Sequence, residues 1–368
     1  MQLNSTLAWL VDAAAETPTP ELFLAGLGSR LIKDGAPLAG GALALASPHP
    51  LIARRTWLWR SGSGEVVEAL GFVAGAHSAT GAAGAPGEAG RRWLASLAAG
   101  PVQEDAIGPG PDGPRLAWIG PRALTLDEAD RLREAARFAA APLAALTARA
   151  TLTAALEAYL GRRSAARVMS GPLRRGVGET IEAALLFADL RDFTALSEMS
   201  PPSEVISTLD AWFDRIAGSV HAFGGEVLKF MGDGVLAIFP VAGLSPRSAC
   251  EAALKAVAAA RSGMAHLDEA RRRDGLKPLP FGVALHLGQV LWGNIGAADR
   301  LDFTAIGPAV NLVSRLEGLC RSLDRAVLIS GAFAAETATP LIPLGEHELR
   351  GIAAPCAVFT VANSGAPG

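Results

Sequence analysis

The chain has few cysteines, and their spacing excludes two kinds of site. Cys250, Cys320 and Cys356 are the three cysteines, an odd number with wide spacing and no CxxC pair. A disulfide framework needs paired cysteines and a structural zinc site needs closely spaced ligands, so neither is expected. We interpret all three as small buried hydrophobic side chains.

Long apolar runs and clustered positive charge are also lacking. Half of the residues are hydrophobic, yet no uncharged apolar run reaches the ~18 residues that a membrane-spanning helix needs. The N-terminus lacks the basic leader and apolar stretch of a secretory signal. The net charge is −3 and the basic residues are scattered, which argues against nucleic acid or an anionic membrane as the main partner. We expect a soluble cytoplasmic protein without membrane insertion.

The first third of the chain has the sequence pattern of an α+β module. Helix signals come first, and short strand-like runs follow at residues 41–46 and 55–60. Trp57 and Trp59 alternate with Leu58, so they share one face of the predicted sheet, in the core or at an interface. The Gly-rich segments 74–90 and 107–114 read as surface loops, and we predict an N-terminal α+β domain over residues 1–124.

A connecting helix and linker are predicted over residues 125–178. Thr125 followed by Glu128 makes a capping box, and Pro142 should kink or divide the helix. Beyond the proline, apolar residues recur at spacings of 4 and 3, which suits a short two-stranded coiled coil or a packed connector; these residues are Leu152, Leu156 and Tyr159. An ordinary amphipathic helix on its own domain fits this pattern equally well.

The second domain is predicted over residues 179–364. Its apolar runs and helical segments follow in the order βαββαβ with additions, which implies an antiparallel-rich sheet covered on one face by helices. Asp189 ends an apolar strand and Asp233 lies in the turn of a later hairpin, so both carboxylates stand at sheet edges where metals can bind. Taken singly, each aspartate fits an ordinary turn equally well.

Four motifs in this domain occur together and in order. They are FADLRDFTALSE, FGGEVLKFMGDGVLAIF, GVALHLGQVLWGNIG and FTAIGPAVNLVSRLE. Over residues 181–362 the chain resembles the catalytic domain of class III adenylate and guanylate cyclases. The resemblance implies an α+β, ferredoxin-like βαββαβ catalytic domain and an adenylate cyclase of the bacterial type, which converts ATP into cyclic AMP and pyrophosphate.

The same resemblance implies a two-metal site. The metal-binding carboxylates of the family fall on Asp189 and Asp233, and the carbonyl of Leu190 is an additional ligand. Oxygen ligands suit Mg²⁺ or Mn²⁺, two per active site. The two ions activate the ribose 3′-oxygen and neutralise the leaving pyrophosphate.

Base-reading residues are implied at Lys229 and Thr304. Adenine N1 accepts a hydrogen bond and the exocyclic amine donates one, so a lysine and a threonine favour ATP over GTP. An exposed strand lysine is the alternative interpretation of Lys229. A buried mismatch would cost about 1 to 3 kcal/mol for each unpaired group.

The remaining site residues surround the ribose and phosphates. Asn311 and Arg315 lie four apart on a predicted helix, where the family orients the ribose and stabilises the pentavalent phosphate. Phe193 and Thr194 keep the pattern of the phosphate loop, and Arg350 stands where relatives carry a lysine or arginine that contacts the triphosphate. Asp192 departs from the family, which has glycine there; its charge either weakens ATP binding or points into solvent, and we favour the second.

The family builds each site from two subunits, so the complete residue set in this chain implies a homodimer with two shared active sites. The N-terminal domain, GAF-like or PAS-like, is expected to sense an unidentified signal and regulate catalysis through the connecting helix. Two alternatives stay open: a guanylate cyclase, and a catalytically silent nucleotide-binding regulatory protein.

Overall fold

The computed structural model describes residues 4–47, 52–72, 88–108, 113–171, 174–243 and 245–362. It divides into two compact units, Met1–Ala155 and Leu156–Gly368. The boundary between them falls within the long predicted connecting helix. The division of the sequence at residues 124 and 178 into three parts stays a prediction, and most of the predicted loop 74–90 lies outside the described residues.

The N-terminal unit is built around a five-stranded antiparallel sheet in the order β3-β2-β1-β5-β4. The elements before the connecting helix are α1 (Ser5–Asp12), α2 (Pro20–Lys33), β1 (Gly40–Ala46), β2 (Ile52–Arg60), β3 (Val66–Phe72), α3 (Glu88–Ala95), β4 (Gln103–Ala106) and β5 (Arg115–Ile119). Both strands predicted from the apolar runs are confirmed as β1 and β2, whereas the end of the predicted loop 74–90 begins α3 instead.

Tryptophans fill the core of this unit. Trp57 and Trp59 are 3% and 1% exposed, so the sheet face that they share is a core face. The ring of Trp59 meets Trp118 edge to face at 6.4 Å, and Gly28 leaves room for it, since a Cβ there would lie 2.3 Å from the indole. Leu58 points to the opposite face, where it packs against Leu94 of α3.

The connecting helix is confirmed in two pieces, α4 (Leu126–Phe138) and α5 (Ala140–Leu160), that meet at an angle of 43°. Thr125 and Glu128 form the predicted capping box at the start of α4. The break at Ala139 follows from Pro142, whose ring would clash with the carbonyl of Phe138 four residues earlier. Among the described residues no single helix is both long and apolar enough to cross a membrane; α4 and α5 meet that test only when taken as one bent pair.

The C-terminal unit begins with the end of α5 and continues through α6 (Arg162–Ser170) into a large sheet. The elements that follow are β6 (Val177–Leu190), α7 (Phe193–Met199), α8 (Pro202–Ala222), β7 (Glu226–Met231), β8 (Gly234–Pro240), α9 (Pro246–Arg273), β9 (Phe281–Gly296), β10 (Leu301–Ile306), α10 (Pro308–Glu317), α11 (Leu319–Ser322), β11 (Val327–Ser330), α12 (Gly331–Ala334), β12 (Leu341–His347) and β13 (Cys356–Val361).

The first four strands of this unit are antiparallel neighbours in the order β9-β6-β8-β7. Strands β11, β13 and β12 extend the sheet beyond β9, where β11 runs parallel to β9, and β10 pairs with the far half of β9. The predicted βαββαβ order is confirmed in β6 to β9.

Helices cover both faces of this sheet, so the prediction of helices on one face is wrong. Alternate residues of β6 point in opposite directions: Leu186 packs with Trp212 of α8 and Ala253 of α9, while Leu185 packs with Val313 of α10. The sequence signal was ambiguous because β6 is apolar at nearly every position, as expected for a strand buried on both sides.

Candidate active site

Two carboxylates meet at one end of the central strands. Asp189 is the penultimate residue of β6, and Asp233 lies in the turn between β7 and β8. The pairing of β6 with β8 brings the two side chains within hydrogen-bonding distance of each other. The indole N–H of Trp212 donates a 2.8 Å hydrogen bond to the carbonyl of Asp233, which fixes the turn. Gly232 in the same turn adopts φ +66°, a backbone conformation that suits glycine.

Negative charge accumulates at this end of the site. Burial, together with the charge and hydrogen bond of Asp233 and the charge of Glu317, raises the pKa of Asp189 to about 7. Burial likewise raises the pKa of Glu317 to about 7, although Arg191 opposes part of that increase. Carboxylates with raised pKa values are those that gain most from a bound cation.

The donor set fits a magnesium-type site. No group of three or more His, Cys, Asp or Glu side chains in the described part of the chain has the geometry to enclose a metal ion. Mg²⁺ is commonly bound by one or two carboxylates, with substrate phosphates and water completing its coordination. Asp189 and Asp233 therefore match an ion that arrives together with a phosphorylated substrate. Leu190, whose carbonyl is the third predicted ligand, is the last residue of β6.

Glu317 was missed by sequence reasoning. It ends α10 and occupies the space left by Gly282, which pairs with Asp189 across β6 and β9; a Cβ at Gly282 would lie 2.3 Å from the Glu317 carboxylate. Arg191 donates hydrogen bonds to the carbonyls of Cys320 at 3.2 Å and Arg325 at 2.8 Å. These bonds tie the segment after α10 to the end of the candidate site that contains Asp189 and Asp233, which we call the metal end.

A lysine and an aspartate form the other end of the candidate site. Lys229 on β7 makes an ion pair with Asp302 on β10, and the two side chains are 35% and 47% exposed. Thr304 lies two residues beyond Asp302 on the same face of β10 and is buried. Lys229 and Thr304 therefore stand on two strands joined by this ion pair. Asp302 was also missed, although its two-residue spacing from Thr304 was the available signal.

The loop after β6 carries the departure noted in the sequence. Asp192 adopts φ +61°, a conformation suited to the glycine found in relatives, and its carboxylate makes an ion pair with Arg321. The expectation that Asp192 is exposed is confirmed, and Arg321 compensates its charge. Phe193 packs against the main core at the start of α7, whereas Thr194 is exposed beside it.

The other predicted residues are exposed. Asn311 and Arg315 stand one helical turn apart on α10, and both side chains face solvent. Arg350 is exposed in the turn after β12, next to Gly351 with φ +80°. The structure thus brings Asp189 to Asp233 and ties Lys229 to Asp302, while Asn311 and Arg315 share a face of α10 and Arg350 follows β12.

Comparison with known proteins gives matches over much of the C-terminal unit. Residues 177–338 match the model of the adenylate and guanylate cyclase catalytic domain. Adenylate cyclase 1 of Rhizobium meliloti is 34% identical over 172 residues, which are 46% of this chain and 26% of that protein. Adenylate cyclase 2 of the same organism is 30% identical over 207 residues, 55% of each chain. The chain thus spans about a quarter to about half the length of these curated relatives.

A solved structure shares the fold. A bacterial light-regulated adenylyl cyclase aligns with a TM-score of 0.53 at 22% identity, over 72% of this chain and 86% of that chain. The adenylyl cyclase CyaB from P. aeruginosa aligns with a TM-score of 0.47 at 28% identity, over 51% of this chain and 97% of that one. The family match, the paired aspartates and the strand order together make the C-terminal unit similar to the catalytic domain of class III adenylate and guanylate cyclases.

Proposed function

We propose that this protein is an adenylate cyclase that converts ATP into 3′,5′-cyclic AMP and pyrophosphate. The observation that carries the proposal is the half-buried carboxylate pair Asp189 and Asp233 in the same sheet as the Lys229–Asp302 ion pair. The first pair suits cations with a polyphosphate, and the second presents a lysine for a nucleobase. The adenylate cyclases among its relatives support the same reaction.

The carboxylates of Asp189 and Asp233 would hold two Mg²⁺ or Mn²⁺ ions together with the carbonyl of Leu190. Such ions, when bound, activate the ribose 3′-oxygen and neutralise the charge of the leaving pyrophosphate. The chain's own contribution is placement. The pairing of β6 with β8 and the hydrogen bond from Trp212 keep the two carboxylates together before substrate arrives.

Lys229 and Thr304 would select adenine. The ammonium of Lys229 donates to N1 of adenine, and the hydroxyl of Thr304 accepts from the exocyclic amine. Guanine carries a proton at N1, so the ammonium of Lys229 would face a second donor and that contact would fail. The ion pair with Asp302 holds the lysine ammonium beside β10.

The exposed polar residues would complete the site around the ribose and the phosphates. Asn311 orients the ribose, and Arg315 stabilises the charge that develops on the pentavalent α-phosphate. The backbone at Phe193 and Thr194 faces the triphosphate, and Arg350 contacts it with its guanidinium. All of these side chains except Phe193 are exposed in the single chain, so they are accessible to a substrate held between two subunits.

The apolar surface beside the base-reading residues supports a homodimer with two shared sites. Phe230 and Met231 on β7 are 50% and 43% exposed, and Ile306 on β10 is 43% exposed. Exposed apolar side chains on the strands that carry Lys229 and Thr304 are suited to burial against a second copy.

The N-terminal unit would act as a GAF-like or PAS-like sensory module. Its support is architectural: it is an α+β unit with its own tryptophan-filled core, and the connecting helix continues from it into the catalytic unit. Limited proteolysis that releases a catalytic fragment with an altered rate is the expected result; an unchanged rate would argue against regulation.

The extra charge of Asp192 was the feature that favoured a catalytically silent protein, and Arg321 compensates that charge.

Purified protein is incubated with Mg²⁺ or Mn²⁺ and either ATP or GTP, and cyclic nucleotide is measured. We expect cyclic AMP from ATP, little product from GTP, loss of product in Asp233→Asn, and unchanged activity in the surface control Asp274→Asn. Cyclic GMP as the main product would instead favour the guanylate cyclase alternative, and binding of ATP without product would favour the silent one.

A further inference from the structure

A buried polar contact joins the segment after the connecting helix to the catalytic sheet. Helix α5 ends at Leu160, Gly161 turns the chain with φ +81°, and α6 follows. Ser164 in the first turn of α6 is completely buried, and it meets Glu226, the first residue of β7, which is 3% exposed. A buried carboxylate is costly unless its oxygens are hydrogen-bonded, so this contact is a specific feature of the chain.

Ser164 supplies both hydrogen bonds that the structure gives to this carboxylate. Its backbone N–H donates to Glu226 Oε1 at 2.9 Å, and its hydroxyl donates to the same oxygen at 2.5 Å. The other oxygen, Oε2, is buried and has no hydrogen-bond partner in the described part of the chain. A Cβ at position 161 would lie 3.1 Å from Oε1, so the glycine lets the chain pass close to the carboxylate.

The strand that begins with Glu226 also carries Lys229. A bulge between Val227 and Lys229 shifts the register of β7 against β8 just before the lysine. A cavity of about 760 Å³ lies at this point, with residues 157–161 of the connector on one side and Lys229 and Asp302 on the other. The connector therefore forms a wall of the space in front of the base-reading ion pair and is bonded to the start of its strand.

We propose that Ser164 and Glu226 form a lock, the connector lock, through which the connecting helix sets the position of Lys229. Both are positioning residues: neither contacts the nucleotide, and they act through β7. The inference rests on the proposed function, since it takes Lys229 to read the base. When the lock is closed, β7 is anchored at Glu226 and the lysine is held for adenine; displacement of α6 releases the anchor while the metal-binding carboxylates on β6 and the β7–β8 turn stay in place.

The test uses the full chain with three substitutions. Ser164→Ala removes the hydroxyl donor, Ser164→Cys replaces it with a weak donor of similar volume, and Glu226→Gln keeps an acceptor for Ser164 and the shape of the side chain. Ser170→Ala is the matched control, because Ser170 lies on the same helix with its hydroxyl bonded only within that helix. Thermal unfolding followed by circular dichroism establishes that each variant is folded.

The kinetic readout is the split between KM and kcat. For Ser164→Ala we expect KM for ATP to rise roughly tenfold with kcat within about threefold of wild type, and the preference for ATP over GTP to fall. Ser164→Cys should lie between wild type and alanine, and Glu226→Gln should retain a near-normal KM, as should Ser170→Ala. A fall in kcat at unchanged KM, or an unchanged KM in folded Ser164→Ala, would overturn the proposal.

A second readout does not depend on catalysis. Hydrogen–deuterium exchange of the amides of β7 is measured in the nucleotide-free protein, and Ser164→Ala should raise exchange there by about tenfold while the β6–β9 ladder stays protected. Equal protection of β7 in wild type and Ser164→Ala would overturn the lock even if the kinetics changed. If wild-type protein makes no cyclic nucleotide, the proposed function fails, and the exchange result still decides whether the lock anchors β7.

Discussion

The two ends of the candidate site differ in how their charges are balanced. At the metal end, Asp189, Asp233 and Glu317 lie together, and the pKa values of Asp189 and Glu317 are raised to about 7. At the base end, Lys229 already has its partner in Asp302. The base end is thus preorganised in the free chain, whereas the metal end has excess negative charge that only arriving cations can balance. The predictions below test that contrast.

The largest effect is expected at the metal end. Asp189→Asn removes one of two side-chain ligands, and we expect cyclic AMP formation to fall by at least ~1000-fold with either Mg²⁺ or Mn²⁺. The measurement is initial rate at saturating ATP, with Asp274→Asn as the surface control. Retention of a tenth or more of the wild-type rate would show, as an order-of-magnitude criterion, that Asp189 is not a ligand.

At the base end, loss of the lysine should affect recognition. Lys229→Ala leaves adenine N1 without a donor, so kcat/KM for ATP should fall about 30-fold, and the value for GTP should change much less. The exposed lysine Lys255 on α9 provides the matched control Lys255→Ala. Equal losses for ATP and GTP would mean that Lys229 has no role in choosing the base.

Removal of the partner rather than the lysine should have a smaller effect. Asp302→Asn leaves the ammonium in place but frees it from β10, so KM for ATP should rise about fivefold with kcat nearly unchanged. If Asp302→Asn were as damaging as Lys229→Ala, Asp302 would itself contact the nucleotide.

The metal end should also show in the pH dependence of stability. The Asp189 pKa rises from 3.8 to about 7 on folding, so between those values the metal-free folded state keeps a proton that the unfolded state releases. The free energy of unfolding should therefore decrease as pH rises from 4 to 7. Asp189→Asn cannot ionise at this position, so its free energy of unfolding should fall by about 1 kcal/mol less over that range. The expected difference is smaller than the pKa shift alone would give, because solvent screens the half-exposed side chain.

Urea unfolding in EDTA at pH 4 and pH 7 measures this difference. Millimolar Mg²⁺ at pH 8 should stabilise wild type more than Asp189→Asn, because the ion binds the ionised carboxylates. Identical pH dependence in the two proteins would show that Asp189 titrates as an ordinary surface carboxyl.

The smallest effect is expected at Asp192. The ion pair with Arg321 is exposed, and such pairs contribute little to stability. Asp192→Gly should leave activity within about twofold and stabilise the protein by a few tenths of a kcal/mol, since glycine accepts φ +61° without strain. A large gain in ATP affinity would mean that the aspartate charge opposes the triphosphate after all.

Local patterns predicted local structure well. The capping box at Thr125 begins α4, Pro142 divides the connector, and the alternation of Trp57 with Trp59 identified a core face. Each of these signals lies within a few residues of its effect. The order of β6 to β9 followed from the apolar runs and helical segments, and the family resemblance implied the same order.

The missed features join distant parts of the chain. Glu317 reaches Asp189 only because Gly282 leaves space across the β6–β9 pair, Asp302 is 73 residues from Lys229, and Arg321 is 129 residues from Asp192. Such pairs depend on strand order and on side-chain packing, which a single sequence does not encode in any local pattern.

Complementation between two impaired variants, assayed at ATP concentrations below KM, tests the central claim most directly. Asp189→Asn and Lys229→Ala are mixed under conditions in which subunits exchange, and cyclic AMP formation is compared with that of each variant alone. If each site combines the metal end of one subunit with the base end of the other, half of the dimers are mixed and each has one intact site, so about a quarter of wild-type activity should return. Activity no greater than the sum of the two variants would contradict a shared site.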